Sequence, residues 1–289
     1  MVYAIICVNL AEGRDAMEPL QYENRGYLRE DLRLFHLADS RHEAIAYHYH
    51  DFHKIIWLLA GRADYAIEGR TYHLQSGDCV LVGRGCIHRP LVESGDYYER
   101  TVLYISPAYL REAGRGTDLG RCFDHARETG CYVYHREDGA LQERLTQLEE
   151  ALRSEEFAAD VMARALFIQL LVEVNRMTCR AHAADAASGD RKMLALLGYL
   201  GGHLTEELSI DDLARRFYIS KYHMMRRFRE ATGYTIHSYV TEKRLLLARD
   251  LLSRDVPLTE IAERCGYRDY STFSRAYKKK FGKSPSQMK

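Results

Sequence analysis

The chain has 289 residues, 46% hydrophobic and 28% charged, which is enough apolar material for two folded domains and excludes a disordered or fibrous class. Its 41 basic and 41 acidic side chains cancel, yet residues 190–289 hold 20 of the basic and only 12 of the acidic groups. A basic last third on an acidic remainder points to a polyanion-binding module joined to something else.

The start "MVYAIICVNL" lacks the basic n-region of a secretory leader, and no apolar run approaches the ~18 residues a membrane span needs. No membrane partner is expected. The seven cysteines are scattered and include no CxxC pair, which predicts reduced thiols in a cytoplasm rather than a disulfide framework or a structural zinc site.

From about Asp31 to Ile105 the chain reads as β. Short runs such as "HKIIWLLA", "ADYAIEG", "RTYHLQ", "DCVLVG" and "YYERTVLYI" alternate with Gly, Asp and Ser punctuation, the pattern of a sandwich or barrel. Period-two alternation puts His48, His50, Phe52, Lys54, Ile56 and Leu58 on one face, with His53 on the other. In "AYHYHDFHKIIWLLAGRADYAIEGRTYHLQSGDCVLVGRGCIHRP" the order of an HxH pair, glycines and a later histidine resembles the cupin fold. His48, His50, Gly61, Gly77 and His88 fit that order, while Lys54 stands where the pattern has a glutamate. The resemblance implies a small-molecule effector pocket lined by His48, His50, Lys54, Trp57 and His88. No cofactor is expected, because an ammonium beside three imidazoles opposes a divalent cation and suits a carboxylate or phosphate. Two alternatives stay open: a divalent transition metal on His48, His50 and His88, and histidines kept for internal hydrogen bonds. No nucleophile with its base and no phosphate-cradling loop is present, so no catalytic residue is assigned.

Ser106 and Pro107 read as the N-cap and first position of a helix. Leu141, Leu145, Leu148 and Leu152 then form one helical stripe. Met162, Leu166, Ile168, Leu170, Leu171 and Val174 belong to a second helix. This hairpin either packs on the β domain or forms a dimer interface. Small and polar residues at 181–189 read as a linker.

The last eighty residues contain a duplication. "SIDDLARRF" (209–217) aligns with "PLTEIAERC" (257–265) at an offset of 48, matching Ile210, Leu213 and Ala214 to Leu258, Ile261 and Ala262. Past the turn the offset is 49, matching Met224, Arg226, Phe228 and Gly233 to Phe273, Arg275, Tyr277 and Gly282. Each copy has a short helix, a tight turn, an N-cap (Ser220 or Asp269) and a second helix ended by glycine, which is a helix-turn-helix. On the second helices, Tyr222, Met225 and Arg226, then Tyr270, Ser271 and Arg275, are candidates for base contacts in the major groove. Lys221, Arg229, Lys278, Lys279, Lys280 and Lys283 are candidates for phosphate contacts. Residues 236–254 read as one joining helix, about 28 Å long, that would hold the two readers about 34 Å apart, one duplex turn.

"DDLARRFYISKYHMMRRFREATGYTIHSYVTEKRLLLARDLL" followed by "IAERCGYRDYSTFSRAYKKKFGKSPSQMK" closely resembles the AraC/XylS family of bacterial transcription regulators. Lys221 stands where proline is common there, and Arg227 where leucine is common. The resemblance implies an α+β multidomain protein with a cupin-like β-barrel sensor (1–105), a helical connecting and dimerisation region (106–180), a linker (181–189) and an all-α domain with two helix-turn-helix motifs (190–289). It further implies effector-controlled binding of double-stranded promoter DNA, contact with RNA polymerase and a homodimer. The alternatives are a metal-dependent cupin enzyme with a DNA-binding tail, and an effector-independent DNA binder.

Overall fold

A computed structural model describes residues 3–9, 28, 30–39, 45–92, 97–135, 139–180, 188–252, 254 and 256–288; positions 181–187 of the expected linker lie outside them. The chain divides into two compact units, Met1–Ser188 and Gly189–Lys289. No helix among the described residues is long and apolar enough to cross a membrane.

The first unit contains β1 (Tyr3–Asn9), β2 (Leu32–Asp39), β3 (His53–Gly61), β4 (Ala63–Ile67), β5 (Arg70–Leu74), β6 (Asp78–Val82), β7 (His88–Leu91), β8 (Tyr98–Ile105) and β9 (Val133–His135). A six-stranded sheet runs β1-β2-β8-β3-β6-β9, and a second sheet places β4 between β5 and β7. These cupin-like sheets do not close into a barrel. Strand β3 pairs with β6 and β8, whereas β4 pairs with β5 and β7, so among the described residues no continuous ladder joins the two sets.

The region expected to be wholly helical, 106–180, holds α1 (Pro107–Gly114), α2 (Arg121–Thr129), α3 (Ala140–Arg153) and α4 (Ala159–Arg180), but also strand β9. The β-branched and aromatic run around Val133 and Tyr134 fits a pleated surface and pairs with Val80 and Cys79 of β6. The sheet therefore extends past residue 105. Ser106 caps α1 by accepting from the Tyr109 N–H at 3.1 Å.

Leu141, Leu145 and Leu148 of α3, with Phe167, Leu170 and Leu171 of α4, are buried in the same cluster as Ile55, Trp57 and Leu103 of the sheet. Each such side chain contributes about 1.5–3 kcal/mol when removed from water. The hairpin stripes are thus used within the unit. Met162 departs from the expected stripe: it is exposed, as are Phe157 and Val161 beside it.

The second unit contains α5 (Arg191–Gly202), α6 (Ile210–Arg216), α7 (Lys221–Thr232), α8 (Ile236–Leu252), α9 (Leu258–Arg264) and α10 (Tyr270–Phe281). The duplication is visible as burial. Leu213, Ala214, Met224 and Phe228 are buried, and so are their counterparts Ile261, Ala262, Phe273 and Tyr277. Both second helices end on a left-handed glycine, Gly233 at φ 74° and Gly282 at φ 76°. In the turns, Tyr218 adopts a left-handed φ of 49° where the second copy has Gly266 at φ 74°. The joining helix α8 ends at Leu252, two residues before its expected end at 254; its 17 residues span about 25 Å.

Two side chains that the sequence pattern did not single out organise this unit. Arg244 of α8 donates to the carbonyls of Leu204 (2.6 Å), Glu206 (2.7 Å) and Gly266 (2.8 Å), tying the approach to α6 to the turn after α9. A Cβ on Gly266 would lie 2.7 Å from the Thr205 carbonyl oxygen. Asp190 caps α5 by accepting from the Lys192 N–H, and its other carboxylate oxygen pairs with Arg227 of α7. Arg227, placed where leucine is common, therefore anchors its helix by charge.

Gly266→Ala is expected to lower the unfolding free energy by about 1–3 kcal/mol, since both the positive φ and the close backbone oppose a methyl group. Asp190→Ala is expected to cost about 0.5–2 kcal/mol through the lost cap. Urea denaturation followed by far-ultraviolet circular dichroism measures both; an unchanged midpoint for either variant would contradict the assigned role.

Candidate nucleic-acid interface and sensor cavity

Helix α7 starts at Ser220, whose hydroxyl accepts from the His223 N–H, and α10 starts at Asp269, whose carboxylate accepts from the Thr272 N–H. Each helix then presents two faces. Met224 and Phe228, or Phe273 and Tyr277, turn inward at i,i+4 spacing, leaving the opposite side to solvent.

On that solvent side of α7, Tyr222, Met225, Arg226 and Arg229 are exposed. Arg226 contacts Glu230 at 3.3 Å and His223 at 3.4 Å, both on its own helix, where water competes for every bond. On α10, Ser271, Arg275, Lys278 and Lys279 are exposed, and among the described residues Arg275 donates to the Ser271 carbonyl (3.4 Å) and the Thr272 hydroxyl (3.5 Å) of its own first turn. Tyr270 is half-buried, its ring edge-on to Phe273 at 6.0 Å, so part of its surface belongs to the core. Lys221 pairs with Asp211 of α6, and Lys283 is exposed just past Gly282.

Lys280 is the exception among the expected phosphate contacts. Its side chain is 9% exposed and its ammonium lies 2.5 Å from Glu242 of α8. Helical periodicity turns position 280 back toward α8 while its neighbours Lys278 and Lys279 face water. Lys280 therefore closes α10 onto α8 rather than meeting a duplex.

In the first unit, His48 and His88 exchange backbone hydrogen bonds of 3.1 and 2.9 Å as an isolated antiparallel bridge, and Gly85 donates to the His50 carbonyl at 2.8 Å. These bonds bring residues forty apart in sequence together. One ring nitrogen from each of His48, His50 and His88 lies within 4.8 Å of the others, and all three residues are buried. Lys54 is 4% exposed and donates to the Tyr65 hydroxyl at 3.3 Å. A cavity of about 30 Å³ is bordered by His48, Lys54, Tyr65 and Arg100 among others. That volume suits one or two water molecules. Arg100 was not singled out in the sequence; a basic residue on a strand that the β pattern reads as core could have signalled it.

Trp57 does not border this cavity. It alternates with Lys54 and Ile56 and belongs to the opposite face of β3, the side on which His53 meets Phe123 of α2 at 4.4 Å between ring centres. Trp57 is a core residue there.

Burial sets the charge states. It pulls the Lys54 pKa down to about 7, with Arg100 adding repulsion. Burial, then repulsion from Lys54, lowers His48 to about 4. His50 and His88 are held well below their ordinary value, chiefly by burial. All three imidazoles are neutral at pH 7, with lone pairs to offer.

Comparisons with known proteins agree with this division. Residues 33–171 match the family model for an AraC-like ligand binding domain, and residues 213–289 match that for a helix-turn-helix domain. The chain is 29% identical over 259 residues to the HTH-type transcriptional activator RhaS of Yersinia pestis (strain Pestoides F), covering 87% of this chain and 92% of that protein. It is 28% identical over 245 residues to the RhaS of Escherichia coli O139:H28, covering 84% and 86%. Among solved structures, apo ToxT from Vibrio cholerae aligns over 90% of this chain and 97% of its own, at 14% identity and a TM-score of 0.41. With a ligand-binding domain followed by paired helix-turn-helix motifs, and similarity to its relatives across both, the chain belongs to the AraC/XylS family of transcription regulators.

Proposed function

We propose that the second unit reads promoter DNA with two helices at once, α7 through Tyr222, Met225 and Arg226, and α10 through Ser271, Arg275 and the exposed edge of Tyr270. The observation that carries this reading is the matched pair Arg226 and Arg275. Both sit at the same position of a duplicated helix, and both are exposed with only weak contacts within their own helix. A guanidinium so presented can pair with guanine O6 and N7. Lys221, Arg229, Lys278, Lys279 and Lys283 would add sequence-independent phosphate contacts.

The first unit serves as the effector sensor, and its cavity captures a ligand rather than turning one over. Anything larger than a water or two requires the cavity to widen, so effector entry would reshape the sensor and thereby alter promoter occupancy. The RhaS relatives are transcriptional activators, and activation through contact with RNA polymerase is the output we assign here, in the cytoplasm. The exposed tip of the α3–α4 hairpin, Phe157 with Val161 and Met162, is the contact assigned to a homodimer.

Fragments of the source genome selected by binding supply the specific site for three tests. Arg275→Ala should weaken that site by about 1–3 kcal/mol and relax preference at one base pair. Equal loss on random DNA would exclude base reading. Lys279→Ala should make the salt dependence shallower by about one unit on every sequence, whereas Lys280→Ala should lower thermal stability and leave that slope alone. The reverse pattern would contradict the assignment of the two lysines. Phe157→Asp should shift sedimentation from dimer to monomer; a dimer that persists places the contact elsewhere.

A further inference from the structure

The turn between α6 and α7 holds a side chain that the fold does not use. Tyr218 sits at a left-handed φ of 49°, where a Cβ is crowded by the backbone and only glycine is at ease. The second copy of the motif puts Gly266 at the matching position. Strain of this kind persists where something offsets it, yet the Tyr218 side chain is 88% exposed, so packing does not. Phe217 before it meets Tyr199 of α5 with ring centres 5.9 Å apart, and Ile219 after it is half-buried. The apolar anchoring of the turn comes from these neighbours, and Tyr218 faces water.

Backbone bonds hold the residue in that setting. The Tyr218 N–H donates to the Arg215 carbonyl at 3.3 Å, and the Ile219 N–H donates to the Ala214 carbonyl at 3.1 Å. The Tyr218 carbonyl in turn accepts from the Lys192 ammonium at 2.9 Å. Lys192 belongs to the first turn of α5, which Asp190 ties to α7 through Arg227. An ammonium donates three bonds and this carbonyl takes one. Lys192 is exposed too, so a cation with further donors lies beside a phenol just ahead of the Ser220 cap of α7.

We propose that Tyr218 and Lys192 bind the phosphate backbone of the duplex at the rim of the groove that α7 enters, the phenol donating to a phosphate oxygen and the ammonium adding charge. In a helix-turn-helix the recognition helix meets the bases with its N-terminal residues while the first helix crosses the backbone, so the turn between them comes down on the sugar-phosphate strand. Tyrosine is among the side chains that donate to phosphate there. Gly266 has no side chain for such a contact, so it belongs to the first motif alone. The inference rests on the DNA-binding reading and adds to it a contact that positions the protein without reading sequence.

The test uses the full chain with the selected promoter fragment and a random duplex. Tyr218→Gly is expected to keep or raise the thermal midpoint, because glycine relieves the left-handed strain, and to weaken both duplexes by about three- to tenfold. Tyr218→Phe is expected to weaken both by about threefold at an unchanged midpoint. Lys192→Met should make the salt dependence shallower by about one unit. Single neutral methylphosphonates scanned across the promoter fragment should include one position that weakens the wild type and leaves Tyr218→Phe unaffected. A lower midpoint for Tyr218→Gly would make the ring a support of the fold, and a loss confined to the promoter fragment would make it a base reader; either overturns the contact, as does an unchanged salt slope for Lys192→Met. A wild-type chain that binds no duplex would defeat the regulatory reading and this contact with it, whereas a wild type that binds no better than the Tyr218 variants would defeat the contact alone.

Discussion

One guanidinium ties the two copies of the duplicated motif to the helix that joins them. Arg244 has three backbone carbonyls as partners, drawn from the segment before α6 and from the turn after α9. Backbone carbonyls cannot swing away as side chains can, so the planar fork fixes both copies of the duplicated motif against α8. Gly266 is the complement of that clamp, for only a residue without a Cβ allows the turn to approach Thr205 so closely. In the reading proposed above, two helices held at a fixed separation would lose little freedom on meeting a duplex.

Charge within the same unit divides into two kinds that composition does not separate. Asp190 with Arg227, Asp211 with Lys221, and Glu242 with Lys280 join one element to another. The half-buried Lys280 pair joins α10 to α8, where partial screening from water makes the ion pair worth more than one in open solvent. Arg226, Arg275, Lys278 and Lys279 remain in water, where exchanging a weak intrahelical contact for a phosphate or a base costs little. Most of the charges proposed for recognition are thus those that packing leaves over; Lys221, which pairs with Asp211, is the exception.

The sensor presents the opposite condition. Its functional groups are enclosed, and desolvation keeps three histidines neutral beside a lysine whose proton is loosely held. A bridge between His48 and His88 is the only described pairing that joins the HxH segment to β7, so the backbone itself sets the distance between the rings.

Much of the helical unit was legible in the sequence, because caps, helical periods and a repeat are local properties. Ser220, Asp269, Gly233 and Gly282 mark the helix ends from residue type alone, and the offset of 48 then 49 locates the longer turn. The HxH pattern and the later histidine likewise marked three residues, His48, His50 and His88, that lie close together and buried. What the sequence did not carry were outcomes of long-range packing. Strand β9 lies in a region read as helical because three residues are too few to establish a period. Lys280 is taken by Glu242, and Arg100 borders the cavity through pairings with distant strands, whereas the facing of Trp57 away from Lys54 already followed from strand alternation. By itself, then, the sequence determined which segments repeat, where helices begin and end, and where positive charge collects, since these follow from neighbours along the chain. Tertiary structure alone decided which charges stay free and which ring nitrogens converge, since both depend on what burial removes from water.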